Sequence, residues 1–282
     1  MNINDYPFGL YEKALPAHFS WTERMETAKA AGYSFIEISI DESDERLERL
    51  QWDSQKRQEI VALQRETGIR LQNMCLSGHR RYPIGTTDLD IQATGMKLMY
   101  DAIDFAVDTG IRVIQLAGYD ATVGEESTEV TAANFARNLA VSVEYAAAKG
   151  VVLAIENMGV LFMDSVTKAM KYVDAIRSPY LQVYPDIGNL DAMNHMIDSE
   201  LRAGIGHIVG IHIKDTQEGI VRRIPFGEGR VDFIRAFKTI KSIGYAGPLL
   251  VEMWADDRPD TCDEIVQAKR WIEEKMQLAW EL

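Results

Sequence analysis

Four apolar runs in the second half of this chain each end on a side chain that can ligate a metal. Val151-Val152-Leu153-Ala154-Ile155 ends on Glu156, and Leu181-Gln182-Val183-Tyr184-Pro185 ends on Asp186. Ile208-Val209-Gly210-Ile211 ends on His212, and Pro248-Leu249-Leu250-Val251 ends on Glu252. Short apolar runs rich in β-branched residues read as strands buried on both faces, the kind found in parallel sheets covered by helices. A charge at the end of such a strand is costly unless it is paired or bound to a metal. That costly event recurs four times at the same strand end, and few folds can accommodate it.

The rest of the chain supplies the units that such a sheet needs. Phe8 to Glu12, Ser34 to Ile40, Leu71 to Leu76 and Arg112 to Gly118 predict strands one to four. Helical periodicity fills the gaps: Trp21 to Ala31 behind a Ser20 cap, Asp53 or Ser54 to Thr67, Asp90 to Thr109, and Ser127 to Lys149. Further helices are expected from Ser165 to before Ser178-Pro179, near His195 to Ala203, from Asp232 to Ile243, and from about Asp263 onward. Gly32, Gly68, Gly110, Gly150 and Gly244 each follow the last periodic residue of a helix, as a C-terminal stop should. Eight strand–helix units without a linker predict a single (β/α)8 barrel over residues 1–282, a normal length for that fold. The charged segment Asp41 to Leu50 reads as solvated, and Met96 and Met99 read as core.

The net charge of -13 excludes nucleic acid and anionic membrane as partners, so any phosphate contact must be local. The two cysteines, Cys75 and Cys262, have no zinc-type spacing and read as reduced, which suits a cytoplasmic protein. The start lacks the basic and apolar regions of a signal peptide, and no apolar run approaches a membrane span. No Gly-rich dinucleotide fingerprint is present.

Active sites of (β/α)8 barrels lie at the C-terminal ends of the strands. Glu156, Asp186, His212 and Glu252 come from strands five to eight, neighbours around half the ring, so their side chains can converge. Taken singly, each has a bland reading as a helix cap, a salt-bridge partner or a satisfied core histidine. Together, three carboxylates and one imidazole suit one divalent cation: Mn²⁺ or Zn²⁺, with Mg²⁺ or Co²⁺ as alternatives.

Several further stretches carry a resemblance. They are Gly9-Leu10-Tyr11-Glu12-Lys13-Ala14-Leu15, Cys75-Leu76-Ser77-Gly78-His79-Arg80-Arg81, Val113 to Asp120, Tyr184-Pro185-Asp186-Ile187-Gly188-Asn189-Leu190, Gly206 to Asp215, Pro225-Phe226-Gly227-Glu228-Gly229 and Val251-Glu252-Met253-Trp254. In order and over nearly the full length, they resemble the L-ribulose-5-phosphate 3-epimerases, also called L-xylulose-5-phosphate 3-epimerases, of the xylose-isomerase-like barrel superfamily. The resemblance implies that Glu156, Asp186, His212 and Glu252 bind the metal and that Glu156 and Glu252 double as the catalytic acid/base pair. It also implies a role in L-ascorbate or related pentose catabolism. The related free-ketose 3-epimerases carry a histidine where this chain has Asn189, which favours the phosphopentulose branch.

The chemistry agrees. Epimerisation at C3 of a ketose removes a weakly acidic proton beside a carbonyl. A metal chelated by the C2 and C3 oxygens stabilises the cis-enediolate, and two glutamates on opposite sides can take and return the proton. For the sugar phosphate, the expected contacts are His79, Arg81, Asn189, Lys214 and Arg223, with Arg80, Lys13 and Arg222 as further local cations. The basic turn at His79 reads equally well as a solvated turn. Glu12 and Trp254 also fall at the active end, where packing alone could explain them. The expected partners are a small-molecule sugar phosphate and, in a homodimer, a second copy of the chain. The competing functions are an aldose–ketose isomerase or a free-ketose 3-epimerase of the same superfamily. A DNA-repair endonuclease on this barrel would want more than five histidines and a basic face. An idle sugar-phosphate binder would have no use for the Glu156/Glu252 pair.

Overall fold

Helix closure at glycine sets the rhythm of the chain. The computed structural model describes residues 3–255 and 261–281. Gly110 and Gly150 cap the helices Leu89–Thr109 and Glu129–Lys149 at φ 83° and 73°, a left-handed conformation that a Cβ would disfavour. Each such stop turns the chain back into the next strand.

The strands are β1 (Phe8–Tyr11), β2 (Phe35–Ile40), β3 (Arg70–Leu76), β4 (Val113–Ala117), β5 (Val152–Glu156), β6 (Leu181–Val183) and β7 (Ile211–Ile213). A hairpin of β8 (Asp215–Gln217) and β9 (Ile220–Ile224) follows, and β10 (Leu249–Val251) completes the set. The helices are α1 (Trp21–Ala30), α2 (Asp44–Leu47), α3 (Ser54–Thr67), α4 (Leu89–Thr109) and α5 (Glu129–Lys149). They continue with α6 (Val166–Ile176), α7 (Ile187–Ala192), α8 (Ile197–Ala203), α9 (Phe233–Ser242) and α10 (Thr261–Glu281).

Strands β1 to β7 and β10 form one parallel sheet in the order β6-β5-β4-β3-β2-β1-β10-β7. Parallel bridges from Val183 to Ile208 and from Asp186 to His212 join the two ends of that order. The sheet therefore closes on itself as a (β/α)8 barrel whose eighth strand is β10. Along β2 the side chains alternate as the pleat requires. Ile36, Ile38 and Ile40 pack outward into the large core shared with the helices. Phe35 instead joins Tyr11, Cys75 and Leu250 in a small separate cluster. Glu37 and Ser39 share its side of the strand and are fully buried. The barrel interior is thus part apolar floor and part polar network.

Two local readings change. The segment Asp41 to Leu50 is not simply solvated: it folds into α2 and a 3-10 turn, with Arg49 and Leu50 buried. It turns inward because its arginines have a buried acid to meet, described below. The β8/β9 hairpin rises from what reads as a loop, because Ile220 to Ile224 is mostly exposed and lacks the apolar alternation of a core strand. Met99 is fully buried and Met96 packs against the core. Among the described residues, no helix is long and apolar enough to cross a membrane.

Gly9 opens the barrel floor. A Cβ there would lie 2.2 Å from the Phe35 ring and 2.8 Å from Leu250 Cδ1. Gly9→Ala should therefore destabilise the fold by about 1–3 kcal/mol through overpacking, read as a lower denaturant midpoint with an unchanged slope.

Candidate metal and substrate site at the barrel mouth

Each of the four strand-end side chains is held by its own local device. Glu156 is the last residue of β5, and its Oε2 accepts a hydrogen bond from Gln115 Nε2 of the neighbouring β4. Asp186 follows β6 and caps α7, its Oδ1 accepting from the Asn189 amide at 2.9 Å. Asn157 clamps the same turn: its Oδ1 accepts from Asp186 N at 2.8 Å, and its Nδ2 donates to Asp186 O at 3.0 Å. Asn189 Nδ2 donates to Asn157 O at 2.9 Å and completes the loop. His212 is the central residue of β7. Glu252 follows β10, and its amide donates to Ile213 O at 3.0 Å.

The result is a buried cluster. His212 Nδ1 lies 2.8 Å from Glu156 Oε1, 3.6 Å from Glu252 Oε2 and 4.0 Å from Asp186 Oδ2. One ligand atom from each of the four residues lies within 4.8 Å of all the others. Lys214, just after β7 and two residues on from His212, puts Nζ 2.5 Å from Asp186 Oδ2 and 3.0 Å from Glu252 Oε2.

Burial and crowding shape the charges. Burial pushes the Asp186 carboxyl up to about 8, with Glu252 and Glu156 adding to the rise against the pull of Lys214. At Glu252 the upward push of burial is outweighed by Lys214 and His212, so its carboxyl is held low. At His212 burial opposes the charged form, but Glu37 and Glu156 prevail and the imidazole rises well above its usual range. The acids outnumber the cations here, and Lys214 is the cation that Asp186 Oδ2 and Glu252 Oε2 share. Three carboxylates converging with an imidazole are the donor set of a divalent cation. Their spread is close to what donors 2.0–2.2 Å from a shared ion can span.

Above the cluster lies a cavity of about 120 Å³, lined by Tyr11, Lys13, Ser77, Arg80, Asn189, Lys214, Arg222 and Trp254 together with Glu156 and Glu252. Four of these are cations, in a chain whose net charge is -13. Of the residues expected to meet the sugar phosphate, Asn189 and Lys214 line this cavity. Arg223 does not line this cavity. It lines an adjoining cleft of about 450 Å³ with Phe226, Trp254 and Trp271, its backbone at φ 61°.

His79 and Arg81 also stay outside the cavity lining. His79 lies within a 3-10 turn, Ser77–Arg80, and Arg81 follows it; in such a turn positions i and i+3 stack on one side. Ser77 and Arg80 therefore share the cavity side. His79 turns inward, with Nε2 3.2 Å from Gly95 O, and burial lowers its imidazole to about 4. Arg81 is exposed, 2.6 Å from Asp44 Oδ1. Arg80 is held by both Glu42 oxygens at 2.9 Å and donates from Nε to Tyr119 OH at 3.2 Å. Arg80, Tyr11 and Tyr119, which line the cavity, and Gln115, which holds Glu156, lie outside the set that the sequence reading chose. For Gln115, a polar residue inside an apolar strand was the available signal.

Glu12 explains the inward turn of the arginines. It is fully buried, with Arg24 at 2.9 Å, Arg46 at 2.8 Å and Arg49 at 2.7 Å, and it also accepts from Ser39 N at 2.9 Å. Burial would raise its carboxyl, but the three arginines hold it below the usual range. The cluster ties the turn carrying Lys13 to α1 and to the α2 segment.

Residues 25–278 match the family described as xylose isomerase-like TIM barrel. The chain is 48% identical over 270 residues to the L-ribulose-5-phosphate 3-epimerase UlaE of Shigella boydii serotype 18, which covers 96% of this chain and 95% of the relative. It shows the same identity and coverage against the L-ribulose-5-phosphate 3-epimerase UlaE of Escherichia coli strain ATCC 8739. Among solved structures, an L-ribulose 3-epimerase superposes with a TM-score of 0.81 at 19% identity, covering 98% of this chain and 96% of that one. A D-allulose 3-epimerase from Methylomonas sp. superposes at 0.80 and 20% identity, covering 96% and 97%. At that identity these two share the fold.

Loss of the Glu12 charge leaves three arginines facing a neutral amide with their charges uncompensated. Glu12→Gln should cost about 3–5 kcal/mol, measured by denaturant unfolding at pH 7. Because the folded carboxyl is depressed, its contribution is present above the unfolded pKa and is lost as pH falls through the folded one. The gap between wild type and variant should therefore narrow in acid; a gap independent of pH would separate Glu12 from the acid sensitivity.

Proposed function

The chain belongs to the L-ribulose-5-phosphate 3-epimerase family of xylose isomerase-like TIM barrels, and we propose that it interconverts L-ribulose 5-phosphate and L-xylulose 5-phosphate at this barrel mouth. The observation that carries the reading is the meeting of two features in one place. A buried acid–imidazole cluster lies beneath a small cavity rimmed by Lys13, Arg80, Lys214 and Arg222.

Glu156, Asp186, His212 and Glu252 hold one divalent ion, Mn²⁺ or Zn²⁺ by the mix of oxygen and nitrogen donors. Bound there, the ion would supply Lewis-acid charge beside the substrate's oxygens. Glu156 and Glu252 do the proton work. They come from β5 and β10, which are separated around the ring by β6 and β7, and both reach the cavity. One removes the C3 proton, and the other returns a proton to the opposite face of the carbon. Gln115 fixes one oxygen of Glu156, and Lys214 sits against Glu252, so each carboxylate is aimed before substrate arrives.

Arg80, Lys13 and Arg222 hold the phosphate. Arg80 is already oriented by Glu42 and Tyr119, and Lys13 by Asp41. Tyr11 and Trp254, edge to face with centroids 6.1 Å apart, wall the sugar and exclude water. Asn189 lines the cavity beside Lys214 and contacts the sugar hydroxyls.

Proton NMR of the enzyme with L-ribulose 5-phosphate in D₂O tests the reaction. C3 should exchange with solvent as L-xylulose 5-phosphate appears; unphosphorylated L-ribulose turning over equally well would instead mark a free-ketose epimerase. Glu156→Gln and Glu252→Gln, once shown to retain metal, should each lose about 10²–10⁴-fold in epimerisation. Each should keep exchange on one epimer, and the two variants should differ in which. Near wild-type epimerisation by both would assign the proton transfer to another group.

The phosphate assignment separates neighbours in sequence. Arg80→Ala should raise KM for the phosphorylated ketose roughly 10- to 100-fold, the value of a charge-assisted hydrogen bond. Arg81→Ala should keep wild-type kinetics, and equal KM in the two variants would remove Arg80 from the phosphate site.

A further inference from the structure

His212 has two ring nitrogens, and the structure gives them different neighbours. Nδ1 faces the three carboxylates of the cluster, with Glu156 at 2.8 Å. Nε2 faces the other way, into the barrel interior, where Glu37 Oε1 lies 2.9 Å away. Glu37 is on β2, fully buried, and does not line the mouth cavity. Its second oxygen, Oε2, is buried without a hydrogen bond. A carboxylate in that state is an expensive way to fill a barrel, since an apolar side chain of similar volume would pack there without the desolvation cost.

The surroundings of Glu37 serve the same imidazole. Asn73, its partner in register on β3, donates from Nδ2 to Tyr184 OH at 2.8 Å. The Tyr184 ring meets the His212 ring with centroids 4.8 Å apart and planes at 64°. Gly210 makes room for that ring, since a Cβ there would lie 2.3 Å from it. Residues of β2, β3 and the end of β6 therefore converge on the rear of one histidine. Solvent does not reach them, so no contact with substrate accounts for the arrangement.

Ligation requires the imidazole to give up one of its two ring protons. We propose that Glu37 decides which. By accepting the Nε2 proton, it selects the tautomer that presents a lone pair at Nδ1 towards Glu156, Asp186 and Glu252. Glu37 is thus a positioning residue that sets the affinity of the centre for its divalent ion. Metal-bound histidines are commonly oriented in this way through their other nitrogen, and loss of the partner weakens metal binding by 10–100-fold. The inference rests on the reading of the tetrad as a metal centre.

Competition of the purified protein with a chromophoric chelator for Zn²⁺ tests it, with wild type, Asp186→Ala, Glu37→Gln and Glu37→Leu compared. Glu37→Leu should bind Zn²⁺ about 10–100-fold more weakly than wild type. Glu37→Gln keeps an oxygen that can accept the Nε2 proton and should fall between the two. The downfield Nε2 proton resonance of His212 in the zinc-loaded protein should shift in Glu37→Gln and be lost in Glu37→Leu. If wild type binds no better than Asp186→Ala, the metal-centre reading itself fails. If wild type outbinds Asp186→Ala but both Glu37 variants match wild type, the role of Glu37 alone is overturned. Should Glu37→Leu not fold, Glu37→Gln decides: wild-type affinity with an unshifted His212 resonance overturns the proposal.

Discussion

Mutual repulsion among buried carboxylates is the constraint on which this structure turns. Glu37, Glu156, Asp186 and Glu252 all lie within reach of one imidazole, and none is more than 9% exposed. Left to themselves they would take up protons or push the strands apart. Two cations oppose this: Lys214, beside Asp186 and Glu252, and the charged form of His212 that Glu37 and Glu156 favour. A closed ring of parallel strands is what makes the crowding possible, because it turns strands that are far apart in sequence towards a common axis.

The rim carries the opposite sign, and it too is braced. Arg80 is aimed by Glu42 and Tyr119, and Lys13 is held by Asp41. Beneath Lys13, Glu12 gathers Arg24, Arg46 and Arg49. Acid at depth and base at the rim give the cavity a polarity along its axis. The whole chain carries a net charge of -13, so the positive rim of this cavity is a local feature made by these few oriented side chains.

The loop after β7 is organised around a single carboxylate. Asp215 accepts hydrogen bonds from the amides of Thr216, Gly227, Gly229 and Val231 at 2.9–3.3 Å. Gly229 has no alternative there, since a Cβ would lie 2.0 Å from Asp215 Oδ1. This knot fixes the base of the β8/β9 hairpin and thereby brings Arg222 over Trp254, 5.8 Å from its ring. The hairpin is mostly exposed and contributes little to the core, which is why the apolar pattern passes over it.

What the sequence by itself determined is what short-range rules control. Apolar runs, N-caps and closing glycines depend on neighbours a few residues away, so the eight units could be counted from the chain. The position of Glu156, Asp186, His212 and Glu252 at strand ends followed from the same local pattern, and their convergence from the geometry of a closed barrel. Tertiary structure decided the rest. Whether His79, Arg80 or Arg81 meets the cavity depends on the handed turn from Ser77 to Arg80, which three adjacent basic residues do not reveal. Arg46 and Arg49 turn inward because of Glu12, on a different strand-end turn. Glu37 reads as an ordinary polar residue within a strand until β2 is brought across the barrel to His212, 175 residues away. Contacts of that span leave no period in the sequence, because nothing along the chain between the two residues has to encode them.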